Sequence, residues 1–184
     1  MAIPDAKVLN PMADDVQPAD FSNQPQPNGA DTGPAIGLIS QYVKDMSFEN
    51  PSAPTAYQWT SQPQIDVQFN IGSAVVADGV HETAIKIDIS SRHDEGVAFV
   101  IDLTYAGLFG VRNVPDDQVQ AFMLAEAPRI IFPFARRIIA DAVRDGGFPP
   151  LMLEPIDFHG LYLSQQQATS GEGAAGEAGA VGNA

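Results

Sequence analysis

Three histidines, His81, His93 and His159, are the first residues to ask about chemistry, and no two of them stand at a metal-ligand spacing. There is no H-E-x-x-H pair and no calcium loop, and zero cysteines exclude disulfides, thiol nucleophiles and cysteine-based metal sites. A nucleophile elbow, G-x-S-x-G, is absent, as is a Walker sequence. A literal G-x-G-x-x-G occurs at Gly171, Gly173 and Gly176, but it follows no strand and sits in a Gly/Ala-rich tail, so it reads as chance. Acids are plentiful, yet no pair stands in a context that would raise a carboxyl pKa for general acid work. The residues give no positive sign of an enzyme, no cofactor and no metal. Chemistry by surface recognition is what remains.

Charge narrows the recognition. The chain of 184 residues carries −14, which repels phosphate backbones and argues against nucleic acid. The first 35 residues hold five acids and one lysine and the last 21 hold two acids, so the middle keeps −8 of the total. An acidic folded part suits solubility and a basic partner. No run of 18 apolar residues predicts a membrane span, and the start, MAIPDAKVLNPMADD, lacks the basic and apolar regions of a secretory signal. With no cysteine either, the expected location is cytoplasmic.

The element that must position any such surface is Val97–Phe109. Val97, Phe99, Ile101, Leu103 and Tyr105 share one strand face, while Ala98, Val100, Asp102 and Thr104 share the other. One face wants helices. The other is either loop-covered or a docking surface. Around this strand, Ile65/Val67/Phe69/Ile71 and Thr83/Ile85/Ile87/Ile89 alternate with polar residues, joined by the turn signal Asp78-Gly79. An earlier strand over Leu38–Phe48 alternates with both faces partly apolar. The expected result is a four-stranded antiparallel sheet.

Residues 1–35, rich in Pro, Asp, Asn and Gln, read as a disordered acidic arm, 36–167 as the folded domain, and 168–184 as a flexible Gly/Ala-rich tail. Pro51, Pro54 and Pro63 make the segment after Glu49 an irregular crossover. Its Tyr57 and Trp59 are either a lid on the core or part of a binding cleft. Pro115-Asp116-Asp117 opens a helix that ends at Pro128. A longer helix starts near Arg129, with Ile130, Ile131, Phe134, Ile138, Ala142 and Val143 on one broad apolar face, and Gly146-Gly147 ends it. A last helix spans about Pro155–Gln167.

Four stretches carry a family resemblance: YVKDMSFENP (42–51) followed by Ala53-Pro54; AFVIDL (98–103) followed by Gly107-Leu108-Phe109; PRIIFPFAR (128–136); and GFPPL (147–151) running on to PIDF (155–158). Their types and order resemble the SecB family of bacterial protein-export chaperones over about 36–167. The arm before Ile36 is longer than the family pattern, and the family's cysteines in the central strand and long helix are missing. The resemblance implies an α+β subunit, a four-stranded antiparallel sheet with helices packed on one side, assembling as a dimer of dimers through the long helices. It implies an ATP-independent holding chaperone that binds unfolded precursor proteins and delivers them to the SecA motor. By motif it assigns Asp45, Glu49, Val100 and Asp102 to SecA binding, Tyr57 and Trp59 to the substrate groove, and Ile101, Leu103 and Tyr105, with Ile131, Phe134 and Ile138 of the long helix, to assembly. Trp59 is displaced from the family's usual tryptophan. Plain core packing is the competing reading for the three strand residues. Three other functions stay open: a module for one specific folded partner, an enzyme using acidic groups at a site the sequence does not show, and a SecB-like chaperone serving a toxin–antitoxin pair.

Overall fold

The structure, a computed structural model, describes residues 33–174, with side chains through 167. Residues 1–32 and 175–184, which hold most of the expected arm and the end of the expected tail, lie outside the described residues.

Four strands, β1 (Ala35–Glu49), β2 (Gln64–Ala77), β3 (Val80–His93) and β4 (Gly96–Arg112), form one antiparallel sheet in the order β1-β4-β3-β2. The turn at Asp78-Gly79 joins β2 to β3, with Gly79 at φ 65, a conformation glycine takes without a Cβ penalty. The alternation read in β4 sets the two faces from Phe99 onward. Before it, a register shift leaves Ala98 without a partner on β3, so Val97 loses the parity it was expected to share with Phe99, and Ala98, expected on the other face, is buried in the core. Phe99, Ile101, Leu103 and Tyr105 are buried together with Ile85, Ile87 and Ile89 of β3. This side takes the helices.

β1 departs from simple alternation. Register shifts between Leu38 and Ser40 and between Val43 and Asp45 each insert one extra residue. Each bulge flips the parity of the residues beyond it, so residues 40–43 are inverted relative to the two ends of the strand. Tyr42, opposite Ala106, therefore shares a face with Asp45, opposite Thr104, although the residue numbers differ by three.

The helical layer is α1 (Asp116–Ala121), a π turn (Phe122–Glu126), α2 (Ala127–Asp145) and α3 (Phe158–Ala174). The break expected at Pro128 is absent: the chain stays helical from 116 to 145. Pro128 has no N–H for the carbonyl four residues back, and its ring would crowd that carbonyl. Widening the preceding turn, where the Ala127 N–H reaches the Phe122 carbonyl, absorbs the conflict. The Thr83 hydroxyl, fully buried on β3, donates to the Met123 carbonyl at 2.9 Å and so satisfies a backbone group in that turn. Pro133 sits inside α2, not in its first turn.

The single broad apolar face expected on α2 is in fact two faces. Ile131, Phe132, Ala135, Ile139 and Val143 are buried against the sheet. Phe134 points outward and is 40% exposed, flanked by the half-buried Ile130 and Ile138. α2 approaches the sheet tightly at Gly107, where a Cβ would stand 2.9 Å from Ile131 Cγ2. Gly147, at φ 86, and the Phe148 N–H bonded to the Val143 carbonyl end the helix. The last helix begins at Phe158, not Pro155, because the Asp157 carboxylate accepts from the Gly160 N–H and caps it. It continues past the expected end at Gln167 to Ala174.

Candidate functional site: three surfaces

The face of the sheet away from the helices carries the acids. On β1, Asp45, Ser47 and Glu49 stand opposite Thr104, Asp102 and Val100 of β4. All four residues assigned to partner binding thus fall on one patch spanning two adjacent strands. Asp45 and Glu49 are exposed and make no ion pair among the described residues; Val100 and Asp102 are half-buried.

Two lysines sit among these acids. Lys44, the extra residue of the second bulge, approaches Glu82 of β3 at 2.5 Å, and the Tyr42 hydroxyl donates to the same carboxylate. Burial, then the bond to Glu82, pushes the Tyr42 hydroxyl up to about 12. Burial alone would raise Glu82, but the hydrogen bonds from Lys44 and Tyr42 and the lysine charge outweigh it and hold this carboxyl below its ordinary value. On β3, Lys86 lies 3.0 Å from Asp102 and 3.4 Å from Asp88. The register places Asp88 directly opposite Asp102, a like-charge pair that Lys86 relieves. Sequence reading singled out neither lysine. Alternation with Ile85 and Ile87 puts Lys86 on the polar side, but its partner on β4 depends on register.

A second surface runs along the crossover. Phe48, Phe99, Phe148 and Tyr57 form a continuous aromatic seam, with successive ring centroids 5.9, 5.1 and 5.3 Å apart. The Tyr57 hydroxyl donates to the Gly146 carbonyl at the end of α2, and Asn50 donates to that hydroxyl at 2.8 Å. Half of Tyr57 remains exposed. A Cβ on Gly146 would collide with the Phe48 ring. Trp59 is placed differently. It packs on His93 with ring centroids 5.3 Å apart and lies over Gly96, while Ser61 bonds Glu95 at 2.6 Å. Trp59 is a lid over the β3–β4 turn, whereas Tyr57 borders open apolar surface.

The third surface is the outward stripe Ile130, Phe134 and Ile138 on α2. Of the residues assigned to assembly, Phe134 and Ile138 lie on it. Ile131, Ile101, Leu103 and Tyr105 are buried inside the subunit. Any influence of these four on assembly runs through the packing that positions α2.

Among the described residues, no three His, Asp or Glu side chains are grouped to hold a metal, and no helix is long and apolar enough to cross a membrane. A one-sided sheet with an acid-bearing open face, an aromatic seam and an apolar helix stripe defines an α+β protein that presents surfaces. The comparisons agree with that class. The family model described as preprotein translocase subunit SecB matches residues 29–169. The protein-export protein SecB of Sphingopyxis alaskensis is 67% identical over 88% of this chain and 94% of that protein. The protein of the same name from Novosphingobium aromaticivorans is 61% identical over 84% of this chain and 91% of its own. Among solved structures, the SecB-like chaperone of Mycobacterium tuberculosis, in complex with an antitoxin peptide, shares the fold at a TM-score of 0.56. It is 15% identical and covers 66% of this chain and 90% of that one. The chain belongs to the SecB family.

Proposed function

We propose that this SecB-family chain is an ATP-independent holding chaperone of protein export, which keeps precursor proteins unfolded and hands them to SecA. The observation that carries this reading is the near full-length likeness, at 67% identity, to a protein named for export. That likeness also favours export over service to a toxin–antitoxin pair.

Each surface has a part. A non-native chain exposes apolar side chains and unpaired backbone, which folded proteins conceal. The seam around Tyr57 and Phe148 offers aromatic surface where such side chains gain roughly 25 cal/mol per Å² removed from water. Trp59, packed over the β3–β4 turn, lies off the seam and helps only by fixing the crossover that carries Tyr57. Capture by burial is reversible and needs no nucleotide. Handover uses the other side of the sheet, where Asp45, Glu49 and Asp102 attract a basic surface of SecA and Val100 supplies apolar contact. Ile130, Phe134 and Ile138 join two pairs of subunits through α2, giving a tetramer in the cytoplasm.

The chain is expected to restore export in a bacterium deleted for its own SecB, with pulse-labelled precursor of a SecB-dependent outer-membrane protein processed at close to the normal rate. Persistent precursor despite soluble expression would overturn the export reading.

A further inference from the structure

The acids of the open sheet face are of two kinds. Asp45 and Glu49 stand on β1 without an ion pair among the described residues, whereas Glu82 and Asp102 each hold a lysine. The two lysine pairs differ in turn. Glu82 is largely shielded, its side chain 13% exposed, and is held from two sides by Lys44 and Tyr42. That pair is part of the sheet's own construction. Lys86 and Asp102 are far more open, at 45% and 36% exposure, and a single contact of 3.0 Å joins them. The other Asp102 oxygen, Oδ1, is buried and has no hydrogen-bond partner among the described residues, so Oδ2, the oxygen that Lys86 holds, is the one open to a partner. Lys86 donates to Asp102 and, less strongly, to Asp88, and these bonds raise its ammonium above the ordinary lysine value.

We propose that Lys86 is a tethered counter-ion that competes with the basic partner for Asp102, and thereby sets the affinity and salt dependence of that contact. The inference rests on the reading of the open face as the SecA-binding surface. A partner cation meets Asp45 and Glu49 directly. At Asp102 it must displace Lys86 from Oδ2 or share that one oxygen with it. Because the pair is exposed it is weak, so displacement costs little and the contact remains usable. Lys86 is held in place by the acid Asp88, opposite Asp102, and swings toward Asp88 when a partner takes Asp102. The chain thus carries its own salt: a high local concentration of one ammonium group that lowers partner affinity without removing the acids.

The test is a double-mutant cycle with purified SecA as the probe, binding being measured by titration at low and high ionic strength. Lys86→Gln keeps most of the stem and removes the charge. It is expected to tighten SecA binding by about three- to tenfold at low salt, with the gain shrinking as salt screens the face. Asp102→Asn is expected to cost more in the Lys86→Gln background than in the original chain, because only there is the carboxylate uncontested. Lys86→Arg is expected to behave like the original chain. Arg129→Gln, which removes an equal charge from the exposed helical layer, is expected to give no gain. Weaker binding by Lys86→Gln would overturn the proposal and make Lys86 a residue that presents Asp102. An equal gain from Arg129→Gln would also overturn it, leaving net charge as the cause. If neither Asp45→Asn nor Glu49→Gln changes binding, the SecA reading of this face fails, and the inference with it.

Discussion

Phe134→Asp combined with Ile138→Asp is expected to split the assembly from tetramer to dimer while leaving each subunit folded. Phe134 already points outward in the subunit, so a carboxylate there costs the fold little, whereas Ile138 is half-buried at the edge of the core and its change lowers subunit stability without removing any fully buried side chain. In an interface through α2 the same change removes apolar burial worth about 1.5–3 kcal/mol per side chain and forces a charge toward an apolar surface. Association should weaken by two orders of magnitude or more, read by sedimentation or light scattering at micromolar concentration. Ile131→Ala is the contrasting change. Its side chain is fully buried over Gly107, so the expected effect is a loss of about 2–5 kcal/mol of subunit stability. A double variant that remains tetrameric would place the interface elsewhere.

Asp45→Lys and Asp102→Lys are each expected to weaken SecA binding by roughly tenfold at low salt, and by more in combination. Precursor binding should be unchanged, because the aromatic seam lies on the other side of the sheet from these acids. Asp102→Lys acts twice: it removes an acid and sets a second ammonium beside Lys86. Assembly is expected to survive both changes. Unchanged SecA affinity at low salt would contradict the patch.

Much of this was legible in the chain itself, and the exceptions have physical causes. β2, β3 and β4 alternate over most of their length, so the faces of Val100 and Asp102, opposite to Ile101 and Leu103, follow from parity, but a bulge at Ala98 buries a residue that parity puts on the other face. β1 did not yield to the same rule. Its two bulges leave no composition signal, and they decide that Tyr42 and Asp45 share a face. Proline misled at Pro128, where a π turn lets the helix continue through a residue that ordinarily ends one. On α2 apolar residues occupy more than half the circumference, so periodicity alone cannot separate Ile131, which faces the sheet, from Phe134, which faces out. The Lys86–Asp102 pair joins residues on neighbouring strands whose register is set by the β3–β4 turn, and the Tyr57–Gly146 bond joins residues 89 apart. Neither pairing can be read from types and spacing.

The measurement that bears most directly on the holding function is a refolding-arrest assay. An export precursor is diluted out of denaturant with the chaperone present and no nucleotide added, and its refolding and light scattering are followed. The expected result is arrest at stoichiometric chaperone, a complex of tetramer plus precursor, and no binding of the same protein once folded. Unimpeded refolding, or equal binding of the folded form, would contradict a holding chaperone and point to a module for one specific folded partner.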